Sequence, residues 1–315
     1  MAKSMSSNAS IASALASASL SDTSTAPSLD GAASPVIQFT TMKGLWVSLK
    51  RSAVPLEIFL LSKVSVSVQK FAEIEKEREK CRRNFRVRRY SAQSRILIIT
   101  IPTTIHEQLH LQIGIDFFVQ IVGMGLRNEW ASMGSATLRT TLGHPGGDSG
   151  GDSTFGPRPK RSGGRDWPTL VIEAGHSQTL EGLRRDMRWW FGASDHQVKI
   201  VLLAKFNHDQ REIILEKWVE VPALARQGAM TTRAAARFDQ RCSQVITITQ
   251  TPNITDTDPN RLNPTSYTVT RGALRLEFDR LFLRQPGQGE RDVMIDVPQL
   301  QMYAEETMVK DTFTI

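Results

Sequence analysis

Two hydrophobic rhythms alternate along this chain from about residue 95 onward. Ile96 to Ile101 is a continuous apolar run stopped by Pro102, the pattern of a buried strand. From Ile105 to Val122 the period changes. Leu109, Ile113, Phe117 and Ile121 recur every four residues and predict a helix with one buried stripe. Trp130 to Thr141 suits one or two short strands, and Gly143 to Gly164, rich in Gly, Ser, Pro and Asp, reads as a long surface loop. The clearest unit follows. Leu170-Val171-Ile172 leads directly into Glu173, Leu180 to Phe191 carries the stripe Leu180, Leu183, Met187 and Trp190, and an apolar run returns up to Phe206: strand, helix, strand. Further strands are expected at Glu212–Val221, Val245–Gln250, Tyr267–Thr270, Leu274–Phe278 and Val293–Val297, with a helix at Ala223–Gln240. The last helix has Pro298 early in it and Asp296 as its cap. This alternation predicts an α/β or α+β class, a mixed sheet flanked by helices.

Upstream the rhythm fails. Met1 to Ser34 is mostly Ser, Ala and Thr without a period, too poor in large apolar residues to offset chain entropy, so a disordered head is expected. Residues 35–94 read as a helical and basic extension and 95–310 as the main domain. Within the extension, Gly44 to Glu79 looks mainly helical, although Val64-Ser65-Val66-Ser67-Val68 alternates as a strand does. The formal net charge of +7 has one location: nine Lys or Arg between Lys76 and Arg95 are set against only Glu77 and Glu79, and the remainder is neutral. A basic segment ahead of a neutral domain resembles a nucleic-acid tether or nuclear-import patch more than a DNA-binding face. The plainer account is a solvated helix end. The nearest approach to a membrane span, Val54 to Val68, is broken by Glu57 and Lys63. Cys81 and Cys242 are far apart and lack metal spacing. An intracellular protein, nuclear or cytoplasmic, neither secreted nor in contact with a membrane, is expected.

Three groups of residues carry possible chemistry. His106-Glu107-Gln108-Leu109-His110 is HExxH on a predicted helix, which puts two histidines on one face for zinc with Glu107 as general base and Glu129 as a distant third ligand. Against this, Thr104 to Glu107 also reads as a capping box, the motif falls in the first turn, and both histidines share the side of the core stripe. Zinc hydrolysis therefore ranks third among the readings. The second group pairs Asp152 in the glycine-rich loop with Glu173 at the end of the buried strand; hard carboxylate oxygens at this spacing suit Mg²⁺, with Asp148 and Asp166 as competing acids. Third, Arg184, Arg185 and Arg188 lie off the helix stripe as a basic face, with Asp186 at its edge, where an arginine or the metal site is within reach.

Taken together, Pro168 to Ser177, Leu183, Asp186, Trp189-Trp190 and Val198 to Val201 resemble a large group of fungal proteins. That group in turn is similar to the bacterial Uma-type restriction-endonuclease family, within the PD-(D/E)XK nuclease-like fold. The resemblance takes in Pro102, His106-Glu107, Met133 to Ser135, Gly151 to Phe155, Leu281 to Arg284 and Glu290, so it covers roughly Arg95 to Met308. It implies a PD-(D/E)XK mixed sheet and a Mg²⁺-dependent nuclease. Glu107 matches the first-helix acid, Asp152 the PD aspartate (with Gly151 in place of proline) and Glu173 the glutamate of E-x-K; these three would hold the metal. The lysine is absent, because Gly175 stands two past Glu173, on the same side of a strand of period two. Lys199 on the next strand, or Arg185 on the helix, is the expected substitute, which makes Asp152, Glu173 and Lys199 the candidate catalytic residues. Nucleic acid, contacted through Lys76 to Arg95, is the expected partner. A catalytically inert nuclease-fold binding module is the rival reading.

Overall fold

The computed structural model of the 315-residue chain describes residues 36–38, 41, 44, 62–81, 86–100, 103–134, 148–164, 166–223, 238–252, 254 and 258–311. In chain order the elements begin with strands β1 (Val36–Gln38) and β2 (Ser62–Ser65), helix α1 (Val68–Cys81) and strands β3 (Arg86–Ser91) and β4 (Ile96–Thr100). Helix α2 (Thr104–Gly123) follows, then β5 (Trp130–Ser132), β6 (Asp148–Ser149), β7 (Ser153–Pro157) and β8 (Leu170–Gly175). The second half runs α3 (Leu180–Ala193), β9 (Ile200–Asn207), β10 (Glu212–Pro222), β11 (Phe238–Gln250), β12 (Tyr267–Thr270), β13 (Leu274–Leu276), α4 (Phe278–Phe282), β14 (Val293–Ile295) and α5 (Val297–Asp311).

The main layer is a seven-stranded mixed sheet in the order β12-β11-β10-β9-β8-β7-β5. Its one parallel pair is β8 with β9, joined through α3 as a crossover, with Leu170 opposite Ile200 and Glu173 opposite Leu203. Both central strands are buried on two faces, which explains their unbroken apolar runs. Leu170, Ile172, Ala174, Leu202 and Ala204 face the stripe Leu109, Ile113, Phe117 and Ile121 of α2, while Val171, Val201 and Leu203 face Leu183, Met187 and Trp190 of α3. A second sheet, β1-β2-β4-β3-β6, is built largely from the extension. The boundary expected at Arg95 falls in the turn of the β3–β4 hairpin, so that sheet draws on both sides of it.

Several expectations shift. The loop read at Gly143 to Gly164 contains β7, which lies between β5 and β8 in the main sheet; its Ser153 and Thr154 are buried. The sequence Ser-Thr-Phe-Gly-Pro has the composition of a turn, and strand pairing overrides it. The capping box moves by one residue. Thr103 is the N-cap and accepts from His106 N at 3.2 Å, so His106 rather than Glu107 holds the third helical position. At α5 the expected cap forms reciprocally: Gln299 N donates to Asp296 Oδ1 at 2.9 Å, and Asp296 N donates to Gln299 Oε1 at 3.0 Å. The strand expected up to Phe278 stops at Leu276, because Phe278 starts α4. Of the helix expected at Ala223 to Gln240, residues 238–240 belong to β11 and 224–237 lie outside the described residues, as do the head, 1–34, and residues 45–61 of the extension. Among the described residues, no helix is long and apolar enough to cross a membrane.

Phe117 is fully buried between α2 and the sheet, with its ring edge-on to both Trp130 and Phe155. Phe117→Ala is expected to lower unfolding free energy by about 3–5 kcal/mol, read from urea denaturation.

Candidate functional site

The site lies where β8 ends. Asp152, just before β7, is drawn to β8 by Ala174 N, which donates to Asp152 Oδ2 at 2.8 Å. This sets its carboxylate beside that of Glu173, the preceding residue on β8. Glu173 is only 3% exposed, and Trp190 Nε1 of α3 donates to its Oε1 at 2.5 Å. One helical turn earlier on α3, Asp186 is buried as well and accepts from Gln178 Nε2 at 2.9 Å and Arg89 at 2.7 Å. Arg88 completes the cluster with a second guanidinium hydrogen bond to Asp186. Both arginines come from β3 of the other sheet, so the extension is part of the site, and Arg89 also lies over the Trp189 ring, 5.7 Å from its centroid.

Three carboxylates withdrawn from solvent near one arginine divide their protonation states. Burial and the neighbouring negative charge of Asp152 hold the Glu173 carboxyl well above its ordinary range, despite the opposing pull of Arg88. Burial would raise Asp152 too, but His106, His110 and Arg88 outweigh it and hold this acid well below the usual range. Asp186 is likewise held low, by Arg88, Arg89 and Gln178 against burial. On the other side, burial disfavours charge on His106, but Asp152 and Glu107 outweigh it and raise its pKa. The outcome is a lowered pKa at Asp152 beside a raised one at Glu173.

Glu107 belongs to the histidine side of the site. Its Oε1 lies 3.4 Å from His106 Nδ1 and 3.4 Å from His110 Nε2. His106 Nε2 in turn approaches Asp152 Oδ2 at 3.2 Å, a charge contact off the ideal hydrogen-bond angle, and His110 Nδ1 is 2.8 Å from Ser153 Oγ. Both histidines are buried, as their place on the core side of α2 implied. Glu129 is not with them. It follows the far end of α2, about 20 Å along the helix axis from His110, and pairs with Arg284 at 3.0 Å.

Lys199 is not brought to Glu173. Lys199 precedes β9, four residues before Leu203, the register partner of Glu173. That is about 13 Å along the strand. Its ammonium donates to His196 O at 2.7 Å. Arg185 is half-buried on α3, within the field of Glu181. The position itself is closed: a Cβ on Gly175 would meet Leu183 Cδ1 at 2.9 Å and Gln178 O at 3.3 Å. Two cations that sequence reasoning missed are nearer. Lys205 is the register partner of Gly175 and donates to His176 O at 2.5 Å, while the charge of Arg88 acts on Asp186, Glu173 and Asp152 together. The only sequence signal for Arg88 was its membership of the basic run. Of the competing acids, Asp166 accepts from Gly163 N within its own loop, and the backbone of Asp148 opens β6 opposite Tyr90. The basic face of α3 is largely matched, Arg184 forking onto buried Glu216 at 2.6 and 3.0 Å and Arg188 meeting Glu181.

No protein-family model and no curated protein matches this chain.

Removing Arg88 would leave Asp186 buried with its charge less compensated. Arg88→Ala is expected to cost about 3–5 kcal/mol in urea denaturation, whereas Arg188→Ala, which breaks an exposed pair, should change stability by less than about 1 kcal/mol. Glu173 has the opposite sign to a paired carboxylate. Its folded pKa is raised, so above the unfolded value the folded chain retains a proton that the unfolded chain releases, and stability falls as pH rises. Glu173→Gln removes this dependence while keeping an acceptor for Trp190. In the presence of chelator, the variant should therefore gain in stability relative to the wild type as pH rises above the ordinary carboxylate range.

Proposed function

We propose that this domain is a PD-(D/E)XK-like metal-dependent nuclease that hydrolyses phosphodiester bonds, with Asp152 and Glu173 as the metal-holding pair. The observation that carries the reading is the Ala174 N–H bond to Asp152, which seats two carboxylates from adjacent strands side by side at the end of the parallel pair. The donor set fits a hard divalent cation. Burial and Asp152 raise the pKa of Glu173, and a cation shared by the two acids offsets both effects. When bound, Mg²⁺ supplies an activated water and neutralises charge developing at phosphorus. The chain's own residues do the rest. Trp190 and Ala174 N orient the two carboxylates, and Arg88, whose charge already acts on both, takes the electrostatic role left vacant at Gly175. The basic run from Lys76 to Arg95 supports a nucleic-acid substrate, with Arg88 and Arg89 turned inward onto Asp186.

A second reading has its own support. The E-x-K lysine position is filled by Leu183, and Arg88 is only 8% exposed within the carboxylate cluster, features that suit a nuclease-fold binding module without catalysis. The readings separate on incubating the full chain with single- and double-stranded DNA and RNA in Mg²⁺, Mn²⁺ or chelator. The nuclease reading expects cleavage that needs metal, falls by about 100-fold or more in Glu173→Ala, and survives Lys199→Ala. Binding of any of these polymers without cleavage supports the module instead.

A further inference from the structure

The HExxH segment is not used by the two-carboxylate reading, yet its side chains are arranged with unusual economy. Glu107 Oε1 stands 3.4 Å from one ring nitrogen of each histidine. One ligand atom from each of His106, Glu107 and His110 lies within 4.8 Å of the other two. In a tetrahedral shell with zinc–ligand bonds of about 2.0–2.1 Å, neighbouring ligand atoms are about 3.4 Å apart. Both Glu107–histidine spacings therefore already match the edge of such a shell.

The remaining ring nitrogens face polar side chains as well. His106 Nε2 faces Asp152 Oδ2 at 3.2 Å and His110 Nδ1 faces Ser153 Oγ at 2.8 Å. A ligating imidazole needs such an outer partner to fix its tautomer and orientation, and two successive residues, one before β7 and one beginning it, supply both. The rings are buried, whereas the Glu107 side chain is 28% exposed, so the cluster is reached from one side only. We propose that His106, Glu107 and His110 form a site for one zinc-type divalent ion, with Asp152 and Ser153 orienting the histidines and the Glu107 side open to water or a ligand. Two imidazoles with one carboxylate select a borderline transition ion over Mg²⁺. Glu107 is here a ligand rather than a general base, and Glu129 has no part. The site shares Asp152 with the nuclease reading, as the partner of His106, but takes no ligand atom from Asp152 or Glu173.

Co²⁺, a spectroscopic stand-in for Zn²⁺, tests this on the full chain after chelator treatment. About one equivalent should bind with the visible absorption of a four-coordinate N/O site, and Zn²⁺ should displace it. Glu107→Gln and His110→Ala should weaken binding by at least about 10-fold, and Ser153→Ala by about 10-fold. Ser153→Ala and Glu107→Gln keep both rings, so they remain informative if His110→Ala does not fold. A folded chain that takes up no Co²⁺, or binds it equally in Glu107→Gln and Ser153→Ala, overturns the site. Failure of nuclease assays alongside intact Co²⁺ uptake leaves this site standing and removes only the nuclease.

Discussion

Asp152, Glu173 and Asp186 are withdrawn from solvent around the end of one strand, and the distribution of positive charge among them governs much of this structure. A buried carboxylate without a partner costs several kcal/mol (roughly, on transfer scales), and three such groups cannot coexist ionised without compensation. Arg88 and Arg89 satisfy Asp186, His106 satisfies Asp152, and the pKa of Glu173 is raised. Because the arginines sit on β3, this charge balance also attaches the smaller sheet to the larger one. The positions of α3, β3 and the start of α2 are thus coupled through a few polar contacts rather than through apolar packing alone.

Asp152 is the point where two chemistries meet. Toward β8 it neighbours Glu173 and receives Ala174 N–H; toward α2 it contacts His106. The carboxylate pair suits a hard cation, and the histidine side suits a borderline one. An ion on either side therefore changes the charge seen by the other, since the same carboxylate serves as donor in one case and as orienting partner in the second. This dual contact follows from the placement of β7 beside β8, which sets Asp152 and Ser153 at the ends of both groups.

Sequence pattern was sufficient wherever a local period coincided with burial. The α2 stripe, the β8–α3–β9 unit, β12 and the Asp296 cap could all be read in this way, because continuous apolar runs and four-residue repeats reflect which faces are covered. It was insufficient where pairing overrides composition, as in β7, and where a cap is chosen among adjacent threonines, as at Thr103. The carboxylate pair was legible because a charge ending a buried strand demands an explanation. Its cation was not. Lys199 was near in sequence pattern but lies the wrong distance along β9, whereas Arg88 arrives from another sheet.

By itself, then, the amino-acid order determined the mixed sheet, its flanking helices and the burial of a charged residue at the end of β8, since local periodicity and the cost of buried charge are properties of short segments. Which cation acts on Glu173, whether Gly175 has room for a side chain, and how the HExxH donors converge were decided only by tertiary structure. Those outcomes depend on the register of β8 against β9, on the docking of β3 beside α3 and on the reach of Leu183, relations between residues distant in sequence that no local pattern encodes.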